Sequence, residues 1–370
     1  MKQQWSFSAL DTLFFKESRP MESVGGSQLA SVFPPPARTL IGAVRTSIGE
    51  ALGVDWREYA SGDHPLHAIM GRSDTLGPLR FSGPYLLSHG ERLFPAPLAC
   101  LQSACGQTRL RPDGKATHCD LGHVYLPVKA DPGLQGAKPL EQALITEAGL
   151  RSFLSGLAIA PSEIRLAIDL YVQEERLGIA RDNNRRVTGD GLLYQTRHIR
   201  PLHTAGLQMG VGVAGLDATN VPESGMARLG AEGRLAAWQR GPASVLPVVA
   251  SPAKAQGLLL MLLTPALFER GWLPDGFVPQ AQAGALVWHG DLAGVRLRLI
   301  SSVVGKPVRE GGWDMVQRAP RPLASYAPVG SCYFCQVIDG DLQQAQAALH
   351  GLQIGQETEY GRGELAVGYW

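Results

Sequence analysis

The last third of the chain restricts the fold more than any other stretch. "GLLLMLL" (257–263) is an uninterrupted apolar run and reads as a buried strand. "TPALFERG" (264–271) follows, with Pro265 near a helix start and Gly271 as its stop. "VRLRLISSVV" (295–304) alternates at strand period, and "RPLASYAPVGSCYFCQVI" (321–338) is a second strand stretch bent at Pro328–Gly330. "DGDLQQAQAALHG" (339–351) predicts a helix capped by Asp341 and ended by Gly351. "ELAVGYW" (364–370), entered through the Gly361-Arg362-Gly363 turn, is the final strand. The order is β-α-β-β-α-β, the ferredoxin-like plan. Chain ends are usually frayed and polar; this apolar end is explained as a member of a sheet.

The first half fits the same plan. "QWSFSALDTLFF" reads as a first strand. A helix follows in "PPPARTLIGAVRTSIGEALG", with Ile41, Val44, Ile48 and Leu52 as its apolar stripe. "LRFSGPYLLS" (79–88) and "VYLPV" (124–128) are strand-like, and "LEQALITEAGLRSFLSGL" (140–157) predicts a second helix. An extended hairpin spans about 174–200, and "LQMGVGVAGL" (207–216) completes the sheet. With 370 residues the chain exceeds the size of one ordinary core. The expectation is an α+β protein of two tandem ferredoxin-like domains. Residues 1–216 form the first, with the basic hairpin inserted; 217–256 connect; 257–370 form the second, with its glycine-rich loop.

Composition narrows the function classes. Net charge is +1, so any nucleic-acid surface must come from local clusters of Arg and Lys. The longest clean apolar run, Leu258–Leu263, is too short to span a bilayer, and no signal peptide is read at the N-terminus. No membrane partner is expected. Five sparse cysteines suit a reduced cytoplasmic compartment.

Four cationic constellations stand out. On the first helix Arg38, Gly42, Arg45 and Gly49 share one face, where guanidinium groups beside bare backbone suit an anionic chain. A solvated face with packing glycines is the other reading. The 174–200 hairpin crowds Arg176, Arg181, Arg185, Arg186, Arg197 and Arg200 around Tyr194 and His198. That mixture suits single-stranded RNA, or else an ordinary salt-bridged hairpin. Lys306, Trp313 and Arg318 sit in a third segment, 305–321, as a stacking platform or a loop whose Trp packs inward. Gly361, Arg362 and Gly363 form the fourth, where glycines let backbone N–H groups converge on an anion.

Cys100, Cys105, Cys119 and His123 are zinc candidates, but their spacing matches no standard finger, and no cofactor is expected. Cys332 and Cys335 are read as core cysteines, because residues three apart on a strand face opposite ways. No phosphate-binding loop, H-E-x-x-H, G-x-S-x-G or dinucleotide fingerprint is present. His198 and His203 are candidate general bases without a recognisable partner set.

Five stretches, in order, resemble one family. These are "LDTLFFKESRP…SVFPPPARTLIGAVRT" (10–46), "CDLGHVYLP" (119–127), "ERLGIARDNNRRVTGDGLLY" (175–194), "GWDMVQRAPRPLASYAPVGSCYFCQV" (312–337) and "EYGRGELAVGYW". They are similar to the third subunits of Cmr, the type III-B CRISPR effector complexes, which are tandem RAMP proteins. The resemblance implies a subunit that caps the effector, binds the 5′ tag of the CRISPR RNA and meets target RNA indirectly. Its implied protein partners are the large polymerase/cyclase-like subunit and neighbouring RAMP backbone subunits. The first helix offers Arg38 and Arg45 but no histidine, so binding without cleavage is expected. The alternative is a metal-independent endoribonuclease that processes precursor CRISPR RNA.

Overall fold

The computed structural model describes residues 2–17, 28–182, 187–217, 220–314 and 317–370, without the side chains of 28, 180–182 and 187–193. The chain divides into two compact units, each built from three separate stretches. The first unit comprises Met1–Glu91, Ala167–Ser244 and Glu310–Ala324; the second comprises Arg92–Leu166, Val245–Arg309 and Ser325–Trp370. This differs from the sequential division expected from the sequence, because 92–166 joins the second unit.

In the first unit, Gln3–Ala9 pairs antiparallel with both Leu207–Ala214 and Leu235–Pro242. Arg80–Ser88 lies outside Leu207–Ala214, and Ser224–Arg228 forms the far edge. Setting that edge strand aside, the spatial order is fourth-first-third-second. The fourth strand therefore falls in the segment expected to be a connection. Its Trp238 explains the placement: the ring stacks on Trp5 with centroids 4.5 Å apart. Ala37–Ala51 is the helix between the first two strands. It buries Leu40, Ile41, Val44 and Ile48, each worth about 1.5–3 kcal/mol of hydrophobic transfer.

The second unit repeats the order. Leu365–Tyr369 pairs with Leu258–Leu262, which pairs with Cys332–Val337, which pairs with Val295–Val303. Every residue of Leu258–Leu262 is buried, as its apolar run predicts. The helix Leu342–Leu349 is capped by Asp341, whose carboxylate accepts from the N–H groups of Gln343 and Gln344. Its Gln346 amide donates to the carbonyls of Val249 and Val367, tying the helix to the last strand.

The helix expected at 264–271 does not form. Ala266 instead exchanges backbone hydrogen bonds with Ala327 at 3.0 and 2.8 Å, so its polar groups are spent across the unit rather than along a helix. A different helix, Glu147–Leu154, lies against the last strand. Gly368 permits the approach, since a Cβ there would sit 2.4 Å from the Leu154 carbonyl oxygen. The predicted 140–157 helix is shortened because Ala143–Ile145 pairs as a strand.

Candidate nucleic-acid interface

The long hairpin forms as expected, Tyr171–Asp182 against Val187–Pro201, with Glu175 opposite Arg197 and Gly178 opposite Tyr194. Its described arginines are neutralised. Arg176 pairs with Glu174 at 2.8 Å and Asp11 at 3.2 Å. Arg200 also pairs with both, reaching Asp11 at 3.0 Å, and Arg197 pairs with Glu175 at 3.1 Å. Arg234 adds contacts at 3.5 Å to Asp11 and Glu232. Hydrogen bonds from Arg200 and Arg176 hold the Glu174 carboxyl below its usual pKa, and a backbone hydrogen bond at Thr12 leads the causes that lower Asp11. Of the two readings left open, the salt-bridged hairpin describes this part. Arg185 and Arg186 lie outside the described residues, as does the side chain of Arg181.

His198 is not a stacking residue for a ligand. It is fully buried, lies parallel to Phe14 with centroids 4.9 Å apart, and shares a 3.0 Å hydrogen bond between Nδ1 and Thr12 Oγ1. Its Nε2 is 3.2 Å from Glu232 Oε2. Burial, then the Arg234 charge, lower its pKa, while Glu232 opposes them. The strand alternation that placed it near the arginines turns it inward. Tyr194 packs over Gly178, where a Cβ would come within 2.2 Å of its ring. His203 is exposed on a single turn.

The first helix places its glycines differently at its two ends. Gly42 is open, whereas a Cβ on Gly49 would meet Trp56 at 2.8 Å. Arg45 is half-buried and donates to Tyr59 Oη at 3.2 Å and to the Arg72 carbonyl, so it links two segments of the unit. Arg38 is half-buried and has partners of its own.

Lys306 and Arg318 are exposed, and Trp313 is 57% exposed on the short pairing Trp313–Asp314 with Ala319–Pro320. Its indole is presented to solvent rather than packed inward.

The Gly-Arg-Gly turn corrects the anion-nest expectation. Gly361 and Gly363 hold φ of 84° and 70°, as glycines can. Their N–H groups already donate to Thr358 and Pro265, and that of Glu364 donates to Thr264 Oγ1 at 2.9 Å. Arg362 is only 2% exposed, with its guanidinium 4.5 Å from the Tyr326 ring centroid. Beside it, Glu364 accepts two hydrogen bonds from buried Arg92, at 3.3 and 2.6 Å. The turn directs charge inward and ties the last strand to the unit.

The zinc candidates do not converge, and no group of three or more His, Cys, Asp or Glu suited to a metal occurs among the described residues. Cys100 is buried, Cys105 exposed and Cys119 half-buried, while His123 faces His118 across a hairpin at 5.0 Å. Burial raises Cys100 to about 11 and Cys332 to about 12, so both are protonated core thiols, and Cys335 shifts the same way. No described helix is long and apolar enough to cross a membrane.

Sequence reasoning missed the second unit's cleft, about 870 Å³, whose lining brings four cations together. Arg109 and Arg111, two apart on the strand Gly106–Pro112, share one wall of it. Lys254 and Arg298 add two further cations, Tyr125 and Trp370 aromatic surface, and Asp113 is the one acidic side chain in the lining. None of the four cations has an ion-pair partner among the described residues. The Arg109 guanidinium rests 4.4 Å from the Phe153 ring centroid, and a Cβ on Gly156 would be 3.3 Å from its Nη1. Burial pushes its pKa down, so it is a desolvated charge without a counter-charge. Arg298 is held by Gln336 at 3.2 Å and His289 at 3.3 Å, both neutral partners. Charge runs in sequence gave no hint, because these four come from three distant segments.

Two strand-rich α+β units with a repeated sheet order define the class of protein. The chain belongs to the Cas_Cmr3 family of CRISPR-associated proteins, whose model matches residues 5–370. It is thus a Cmr subunit of a type III-B CRISPR effector. A chain in the cryo-EM structure of the Type III-B Cmr-beta bound to cognate target RNA and AMPPnP, state 1, is 13% identical with a TM-score of 0.49, covering 90% of this chain and 86% of that one. A chain of Cmr-beta bound to cognate target RNA alone is 14% identical with a TM-score of 0.48, covering 98% and 96%. No curated protein sequence matches the chain.

Proposed function

We propose that the chain is a non-catalytic RNA-binding subunit that caps the effector and holds the 5′ tag of the CRISPR RNA. It docks the large polymerase/cyclase-like subunit and neighbouring RAMP backbone subunits, meets target RNA indirectly, and works in the cytoplasm. The observation that carries this reading is the set of uncompensated cations beside aromatic rings in the second unit's cleft. Anionic strands recruit unpaired Arg and Lys by releasing condensed counter-ions, and aromatic faces add sequence-tolerant stacking.

The repeated fourth-first-third-second strand order supports two ferredoxin-like RAMP domains. Each has one departure: the first keeps only the helix after its first strand, the second only the helix before its last. The endoribonuclease alternative is weakened because His198 has no solvent access and is biased neutral.

Crosslinking tests the reading. Guide RNA carrying photoreactive nucleotides in its 5′ tag crosslinks to this chain in the assembled effector; no crosslink at any tag position overturns RNA binding. Incubation with repeat RNA leaves it intact; a site-specific cut abolished by His203→Ala overturns the non-catalytic assignment.

A further inference from the structure

We propose that the second unit's cleft holds a nucleotide unit, its base against the aromatic wall of Tyr125 and Trp370 and its phosphate at Arg109. The proposal rests on the RNA-binding reading above and gives it a place and a mode of recognition.

Three features point there. The first is charge: four cations share the lining with one acidic side chain, and none of the four is ion-paired among the described residues. A half-buried guanidinium without a counter-charge is a standing cost that an anion removes. The second is rigidity. Arg109 is braced by Phe153 beneath it and crowded by Gly156. The Trp370 indole donates to the Cys335 carbonyl at 3.2 Å and meets Phe334 edge-on at 5.8 Å, so its ring is fixed before any ligand arrives. Preorganised groups lose little entropy on binding. The third is size: about 870 Å³ falls in the ~300–1,000 Å³ range of small-ligand sites and accepts a base, a sugar and a phosphate.

The combination selects among anions. Inorganic phosphate uses the cations and leaves the aromatic wall idle. An acidic peptide does the same. A nucleotide uses both, either as one residue of a single strand or as a free mononucleotide. Recognition by stacking and charge predicts tolerance of base identity.

The test uses the full chain with a short fluorescein-labelled single-stranded RNA, read by anisotropy across salt concentrations. Tyr125→Leu weakens binding about tenfold, the loss expected for one stacked base. Arg111→Ala with Lys254→Ala, both exposed positions, lowers the salt slope by about 1.4, at ~0.7 per single-strand phosphate contact. Arg109→Ala weakens binding by about tenfold or more. Arg296→Ala, on the same strand as Arg298 but paired with Asp339, leaves binding unchanged. AMP and poly-glutamate serve as competitors. Displacement by AMP at concentrations comparable to RNA nucleotides identifies a free nucleotide as the source, and the site stands. Stronger displacement by RNA identifies a strand, and the site again stands. Poly-glutamate competing as well as RNA at equal charge overturns it. If the parent chain binds RNA and all cleft variants bind equally, the cleft proposal fails while RNA binding survives. If the parent chain neither binds this RNA nor crosslinks to guide RNA in the effector, both fail.

Discussion

The long hairpin of the first unit and the cleft of the second are both rich in arginine, and they use it in opposite ways. At the hairpin, Arg176, Arg200 and Arg234 surround Asp11, with Glu174 and Glu232 completing a balanced set of three cations and three carboxylates. In the cleft, Arg109, Arg111, Lys254 and Arg298 share a space with one acidic side chain, Asp113. Counting arginines in sequence favours the hairpin. Counting charge left over in space favours the cleft, because only uncompensated charge offers binding energy to an external anion.

The largest test of this contrast lies in a buried pair. Arg92 and Glu364 show what full compensation without solvent looks like, at 8% and 4% exposure. Glu364→Gln removes the counter-charge of the buried guanidinium and is expected to lower stability by about 3–5 kcal/mol in chemical denaturation. A loss below about 1 kcal/mol breaks the view that charge pairing organises this unit.

Next comes Asp11→Asn, which removes the shared carboxylate of three arginines. Stability falls by about 1 kcal/mol, as for a partly exposed network. At the same time the freed cations raise the hairpin's affinity for single-stranded RNA and steepen its salt dependence. Unchanged RNA binding refutes the idea that compensation is what silences the hairpin. Arg111→Ala moves the other way: stability stays within about 0.5 kcal/mol or rises, since it relieves repulsion in the cleft.

The pH response should separate the regions more gently. The folded pKa of His198 lies below its ordinary 6.5, so the unfolded chain takes up more protons as pH falls beneath that value. Its contribution is fully present above 6.5 and declines downward from there. His289 and His350 are lowered too, so the measurement is the difference in melting temperature between parent and His198→Gln from pH 7 to 5. An identical slope in both excludes His198 as a contributor. Smallest is Arg197→Ala, whose exposed pair with Glu175 is worth at most about 0.5 kcal/mol.

How much of this was legible in the sequence follows from what each signal depends on. Leu258–Leu262, the capped helix Leu342–Leu349 and the long hairpin are encoded by local periodicity and capping, and they form where read. Residues 264–271 carry equally good helix punctuation, but tertiary pairing with Ala327 claims their backbone. Trp238 lay in an apparent connection because its reason for being there, the Trp5 ring, is over 200 residues away. The site was harder still. Spacing put His198 and Arg362 among cations, and burial then enclosed both. Whether a charge is paired is a long-range property. That is why the Arg–Gly face of the first helix looked available while Arg45 is engaged by Tyr59 and the Arg72 carbonyl.

Each unit draws on three stretches that alternate along the chain, so the polypeptide passes between them five times. No single cut separates one unit from the other, and a fragment that ends before Ala324 leaves both incomplete. During synthesis the first unit awaits Glu310–Ala324 and the second awaits its own edge strand, Leu365–Tyr369. Half-made chains therefore hold open sheets whose missing partners are not yet translated, the situation that invites aggregation or capture by a chaperone. The order of completion is thus written into the threading itself: the first unit is whole only after Ala324, and the second only after its last strand, Leu365–Tyr369.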